Sequence, residues 1–246
     1  MTGTKPQEGE NLADRVVRYL IEHIRRNKLT WGTQVPSEVR LSSELNVSRG
    51  IVREAYRALR AAGILEITNG RSPRVGRLDN RSFIQFLQHA LSTSQASPEQ
   101  VFDVRSSIEV RAAELAAEKR TDEDAAALQK EVAAMRAAGL QRERFVRADL
   151  RFHEIIGRAT GNPLFGLMGN ALRTSLDLTI RAGFDSRHTR AELNRVVQIH
   201  EGLADAIASG DRVKARRLMA VHFDEARDFV LGRSKPAVVR KSRSGR

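Results

Sequence analysis

Apolar residues recur at helical spacing along most of this chain, and the interruptions of that pattern divide it. The first stripe, Val16, Val17, Leu20, Ile21 and Ile24 in "NLADRVVRYLIEHIRRNKL", predicts an amphipathic helix. "TWGTQVPSE" reads as a loop, with Pro36 and Ser37 marking a new helix start, and "SEVRLSSEL" predicts a short second helix. "SRGIVREAYRALRAAGI" predicts a third, with Ser48 as N-cap, Gly63 as C-terminal stop, and Ile51, Val52, Ala55 and Leu59 on the buried side. The period then changes to two. Ile64–Thr68 alternates, Asn69-Gly70 predicts a tight hairpin turn, Arg71–Val75 returns, and Pro73 confines the return strand to an edge. From Phe83 to Leu231 only helical periods remain. They break near Ser92–Pro98, Thr121–Glu123, Gly139, Gly161–Pro163, Gly183–Arg190 and Ser209–Asp211, which predicts six or seven helices packed as a bundle.

The expected fold is therefore mainly α: an N-terminal winged helix-turn-helix and a C-terminal all-α bundle of six or seven helices. The expected divisions are a disordered start (1–10), the winged domain (11–78), a linker (79–84), the bundle (85–232) and a basic, mobile tail (233–246). In such a winged domain the third helix enters the DNA major groove, and its first residues reach base edges. Here those residues are Ser48, Arg49, Gly50 and Arg53, with Asn69, Gly70 and Arg71 at the hairpin tip to meet phosphate or minor groove.

Charge agrees with that division. The net charge is +12, and residues 1–80 hold 14 Lys/Arg against 9 Asp/Glu. Residues 81–232 are near balance at 22 against 21, and the tail holds 6 against none. A polyanion partner is expected for the N-terminal part and a different partner for the bundle. The chain has no cysteine, which excludes disulfides and thiolate metal sites. It has no apolar run near the length of a membrane span and no signal-peptide pattern, so a cytoplasmic location without membrane contact is expected.

The bundle contains misfits. In "VRADLRFHEIIGRATGNP", Phe145, Asp149, Phe152, His153, Ile156 and Thr160 share one stripe, while Arg147, Arg151, Glu154 and Arg158 face away. A carboxylate and an imidazole thus stand where a core takes hydrocarbon. His200 shares a stripe with Val196, Leu203, Ala204 and Ile207, and His222 shares one with Leu218, Met219, Ala226 and Phe229. His23, His188 and His89 have no comparable setting. A single inward histidine is usually a hydrogen-bonded core residue. Three with an inward aspartate would cost several kcal/mol if unpaired, at roughly 1–3 kcal/mol per unsatisfied group. One divalent cation satisfies all four. The Asp-x3-His spacing puts two ligands on one helix face, about 6 Å apart at Cβ. Three imidazoles and a carboxylate suit zinc, nickel, manganese or iron, and ligand identity does not choose among them; zinc is the ion expected.

Both halves resemble a known family. "GTQVPSEVRLSSELNVSRGIVREAYRALRAAGILEITNG" resembles the GntR family of bacterial transcription regulators over most of residues 12–77. The shared pattern is G-x-x-x-P-S-E, then L-x-V-S-R-x-x-V-R-E-A, then L-x-x-x-G-[IL]-[LI] and a glycine-containing wing. The resemblance implies DNA contacts from Ser37 and from an arginine directly after the Pro-Ser-Glu. Val39 stands there instead, and Arg40 follows about 100° further round the helix. The wing also departs, reading Gly70-Arg71-Ser72-Pro73-Arg74-Val75 where the family tends to Gly-x-Gly-Thr-Phe-Val.

"DVRSSIEVRAAELAAEKRTDED", "DLRFHEIIGRATGNPLF" and "IHEGLADAIASGDRVKARRLMAVHF" resemble the FCD domain of the FadR-type subfamily over nearly all of 83–230. The resemblance implies a metal held by Asp149, His153, His200 and His222, and a small carboxylate effector meeting Arg105. Glu109 is expected to pair with Arg105 or a neighbouring helix, and Asn170 and Arg173 to face the same pocket. The expected protein is a homodimeric, metabolite-responsive repressor of a double-stranded operator with an inverted repeat. One alternative keeps the regulator but makes the metal structural and the effector a hydrophobic acyl-thioester. Another is a metal-dependent enzyme, for which the chain offers no metalloprotease helix, phosphate loop or nucleophile motif.

Overall fold

The computed structural model describes residues 11–68, 70–177, 181, 184 and 189–230. The expected disordered start, the basic tail, Asn69 and His188 lie outside them. Two compact units divide between Ser82 and Phe83. Among the described residues there are ten helices and one two-stranded sheet, so the fold is mainly α.

The N-terminal unit is built by α1 (Leu12–Arg26), α2 (Glu38–Leu45) and α3 (Arg49–Ala61). Each starts on a side-chain cap that satisfies a free N–H: Asn11, Ser37 and Ser48 accept from Asp14, Arg40 and Ile51. α2 ends on Asn46 in the left-handed conformation, and α3 stops before Gly63, at φ +75°. Val16, Leu20, Leu41, Val52, Tyr56 and Leu59 form the core, and Tyr56 donates its hydroxyl to the Pro36 carbonyl. Ile21, on the predicted stripe of α1, is exposed instead.

The hairpin differs from expectation in two ways. β1 (Leu65–Glu66) and β2 (Arg74–Val75) pair antiparallel, with Leu65 opposite Val75 and Glu66 opposite Arg74. A two-residue Asn69-Gly70 loop would set Glu66 opposite Pro73, which has no N–H to give. The register is instead displaced by one residue, and Arg71 N–H closes the turn on the Thr68 carbonyl at 3.1 Å. Nor is β2 an edge. Gly32 N–H donates to Val75, Val75 N–H to Thr33, and Val35 N–H to Pro73, at 2.8–3.0 Å. Pro73 is tolerated between two neighbours because there it only accepts. The close return also explains Gly76: a Cβ there would lie 2.4 Å from the Gly63 carbonyl oxygen.

The C-terminal unit contains α4 (Arg81–Ser92), α5 (Pro98–Lys119), α6 (Asp122–Ala138), α7 (Arg142–Ala159), α8 (Pro163–Ser175), α9 (Arg190–Ser209) and α10 (Arg212–Val230). The expected linker at 79–84 is already helical from Arg81. Capping boxes start α5, α6 and α9, and Pro163 opens α8 at the position where a missing N–H costs nothing. α5 is the central helix, packing on α7, α8, α9 and α10. Its inner face carries Ala112, Ala113, Ala116 and Ala117, all buried, which lets neighbouring backbones approach and brings the long side chains of flanking turns together.

α7 and α8 are set by a second small-residue contact. A Cβ on Gly157 would lie 2.7 Å from Gly166 Cα, backbone that cannot swing aside. Gly157→Ala should therefore destabilise the C-terminal unit by about 1–3 kcal/mol, the usual cost of overpacking. Urea unfolding followed by helix signal checks this, and an unchanged midpoint would contradict the close crossing.

Candidate functional site

The first candidate surface lies at the start of α3. Ser48 caps the helix, and Arg49, Gly50 and Arg53 are exposed. Arg53 pairs with Glu38 of α2 at 3.2 Å, while Arg49 has no hydrogen-bond or ion-pair partner among the described residues. A Cβ on Gly50 would meet nothing nearer than the Ser48 hydroxyl at 3.8 Å. The fold therefore does not need glycine there, although glycine inside a helix costs about 0.5–1 kcal/mol. What it leaves is bare backbone beside a free guanidinium, a surface suited to close approach by another molecule.

The flanking positions are less open. Ser37 uses its oxygen to cap Arg40 N–H, and Arg40 lies 3.9 Å from Glu44, which also accepts the Tyr19 hydroxyl. Val39 is 55% exposed, an apolar side chain on a basic face. Gly70, at φ +74°, and Arg71 are exposed at the wing turn.

The second candidate lies in the helical bundle. Asp149 and His153 project from α7, His200 from α9 and His222 from α10, and one ligand atom from each falls within 4.8 Å of all the others. Periodicity predicts each of these inward positions. Thr160, the remaining polar member of the α7 stripe, is accounted for locally, since its hydroxyl donates to the Gly157 carbonyl at 2.7 Å.

Hydrogen bonds orient the rings. His200 Nδ1 lies 2.8 Å from the Val196 carbonyl, which can only accept, so Nδ1 carries the hydrogen. Its Nε2 then faces Asp149 Oδ1 at 2.9 Å, a contact that needs a proton or a cation between two electron pairs. His153 Nδ1 donates to Glu109, leaving Nε2 buried with no hydrogen-bond partner among the described residues. Two imidazole nitrogens and a carboxylate oxygen thus converge with their electron pairs inward, and His222 closes the group with ring centroids 4.7 and 5.1 Å from His200 and His153.

The electrostatics favour the same forms. Burial, reinforced by the neighbouring histidines, holds His222 well below its ordinary pKa. Burial also lowers His153, against the pull of Glu109. For Asp149, burial disfavours the charge, but Arg173 and the histidines outweigh it and keep the carboxyl ionised far below its usual range. Glu109 behaves alike: burial is overcome by Arg105 and His153. Burial thus favours the neutral form of His153 and His222 beside an ionised Asp149, and such donors suit a divalent cation.

Two arginines complete the site. Arg105 Nε donates to Glu109 Oε1 at 2.6 Å and its guanidinium lies over the Phe223 ring at 5.1 Å. Arg173 Nη2 sits 2.7 Å from Asp149 Oδ2, but off the N–H direction, so the nitrogen lacks a directed hydrogen bond. Both arginines are buried and line a cleft of about 530 Å³, its open mouth included, together with Asp149 and His222. Asn170 is not among the described residues that line this cleft. It donates to Glu154 at 3.2 Å and lines a smaller hollow, about 340 Å³, on the α7–α8 side. A position following the Gly-Asn-Pro turn does not say which side of α8 the residue serves.

Glu109 deserves a place in the site that spacing alone did not give it. The available signal was its place four residues after Arg105, on the same face of α5. His23 stacks on Tyr19 in the N-terminal unit, and His89 is exposed.

Comparison with known proteins covers both units. Residues 12–75 match the family described as "Bacterial regulatory proteins, gntR family", and residues 100–225 match the FCD domain. The chain is 30% identical over 225 residues to the HTH-type transcriptional repressor NanR of Cronobacter sakazakii, covering 90% of this chain and 86% of that protein. NanR of Salmonella schwarzengrund is 30% identical over 223 residues, covering 89% and 84%. Streptococcus agalactiae GntR has a similar structure, with a TM-score of 0.65 over 87% of this chain and 98% of that one. Its 22% identity makes it a likeness of fold alone.

His200 and His222 replaced together by alanine should strip bound metal from protein purified with it, as read by elemental analysis; unchanged content would contradict the site. Protonation competes with metal for imidazole, but burial holds His153 and His222 below the ordinary value of 6.5. Metal should therefore stay bound on dialysis at pH 6.5 and be lost only at lower pH; release already at pH 6.5 would contradict the stated electrostatics.

Proposed function

We propose, for a chain that belongs to the gntR family of bacterial regulatory proteins and carries an FCD domain, that a divalent metal and a small carboxylate effector meet in its C-terminal unit and change the operator affinity of its N-terminal unit. The chain is a DNA-binding transcriptional regulator and not an enzyme, as its family and relatives are. Among the described residues no helix is long and apolar enough to cross a membrane.

One observation carries the finer reading: four metal-ligating side chains from α7, α9 and α10 cluster together, and two of them, Asp149 and His222, line one cleft with the buried Arg105 of α5 and Arg173 of α8. Asp149, His153, His200 and His222 would hold the ion, with zinc the first choice. When bound, it supplies a Lewis-acidic position for a carboxylate oxygen. Arg105 and Arg173 orient the acid by charge. Binding at that cleft ties five helices together, so an acid favouring one helix arrangement shifts the population toward it.

In the N-terminal unit Arg49 reads the operator, Gly50 admits the DNA backbone, and Ser48, Arg53, Ser37, Arg40, Asn69, Gly70 and Arg71 support them. A homodimer would present two α3 helices to an inverted repeat. The named repressors among its relatives favour repression, which effector binding would relieve.

Arg49→Ala should lose specific operator binding in a fluorescence anisotropy titration while keeping its fold; retained affinity would overturn the assignment. Val39→Arg should add a phosphate contact, tightening binding and steepening the log-affinity against log-salt slope by about 0.9 per protomer, about 1.8 for the homodimer. An unchanged slope would show that position 39 does not reach the phosphates.

A further inference from the structure

The cleft beside the metal ligands is chemically divided. Its polar lining residues, Arg105, Asp149, Arg173 and His222, belong to one connected cluster, joined through Glu109 and His153. The rest of the lining is hydrocarbon: Phe102, Phe145, Val146, Phe184, Phe223 and Ala226. The rings are packed in pairs, Phe102 edge-on to Phe223 at 5.2 Å and Phe145 against Phe184 at 5.4 Å. Among the described lining residues no Ser, Thr, Asn, Gln or Tyr offers a neutral hydrogen bond.

Charge sets the other requirement. Arg105 and Glu109 cancel, as do Arg173 and Asp149, so a divalent cation leaves this end of the cleft positive. An anion completes it. The smaller hollow on the α7–α8 side does not suit an acid, because Glu109 and Glu154 line it against a single arginine.

We propose, resting on the acid-sensor reading above, that the effector is a compact aromatic or branched aliphatic carboxylate and not a polyhydroxylated sugar acid. Its carboxylate faces the arginines and the metal end, and its hydrocarbon body lies between the phenylalanines. A sugar acid of similar size would bury hydroxyls against rings that cannot answer them. Each such unpaired group weakens binding by roughly tenfold to a hundredfold. Discrimination of this kind is carried by the lining, so it is separable from the metal ligands that any acid would share.

The test is isothermal titration of the metal-loaded full-length chain with benzoate, phenylacetate and isovalerate against gluconate and glucuronate, before and after chelation. At least one of the first three should bind about tenfold or more tighter than either sugar acid, and chelation should weaken the binding of every acid that binds. Sugar acids binding as tightly or tighter, with chelator-sensitive affinity, would overturn this inference and leave the acid-sensor reading standing. Metal-independent binding of hexanoyl-coenzyme A in preference to all five acids, or no metal-dependent binding of any acid, would overturn both. Phe145→Ser should narrow the gap by about tenfold and Phe145→Leu should keep it, with circular dichroism confirming both folds. An equal response of the two variants would contradict a role for the lining in selection.

Discussion

Asp149 is one carboxylate set among groups that all require it. His200 Nε2 faces one of its oxygens at 2.9 Å, a contact that takes a proton or a cation between them, Arg173 presses a cation on the other at 2.7 Å, and His153 lies one helical turn away. Burial opposes its charge, and only this company keeps it ionised. Around it the bundle is built to deliver those partners. Alanines along α5 and glycines between α7 and α8 bring the backbones close, so that side chains from α8, α9 and α10 converge on a single residue of α7. Removing one partner would leave a buried charge uncompensated, which is far more costly than never having built the pair. The site and the packing of the unit are therefore one problem with one solution.

That interdependence explains what could be read from the chain beforehand. Asp149, His153, His200 and His222 were legible because a helix turns its period into a face, and a polar residue on an apolar face is conspicuous. The buried Arg105 and the exposed start of α3 were singled out through the family resemblance. Glu109 was half legible: its pairing with Arg105 follows from spacing, but its bond to His153 links residues 44 apart and depends on how α5 meets α7. For Asn170 the spacing gave less: α8 borders two hollows, Asn170 lines one and Arg173 lines both, and sequence periodicity does not say which neighbour lies opposite. The hairpin's register failed for a similar reason. Asn69-Gly70 specifies a turn, while the pairing is decided by Pro73 and by the Gly32–Val35 stretch more than thirty residues upstream.

The two units use opposite strategies. In the bundle, charges are paired, buried and oriented before any ligand arrives, so little ordering remains to be done. At the start of α3 the reverse holds: Arg49 is unpaired and Gly50 contributes only absence, a surface completed by its partner. Such a division suits a DNA-binding transcriptional regulator that carries an FCD domain beside its DNA-binding unit. Any effect of one on the other is limited to the effector's differential affinity for the helix arrangements it meets.

The central claim is that Asp149 and three histidines form one metal centre. X-ray absorption at the metal edge of zinc-loaded full-length protein tests it most directly. The account predicts one ion per chain with nitrogen and oxygen neighbours at about 2.0–2.2 Å and the multiple-scattering signature of three imidazoles. A spectrum with one imidazole or none, or zinc bound at well below one ion per chain, would contradict it.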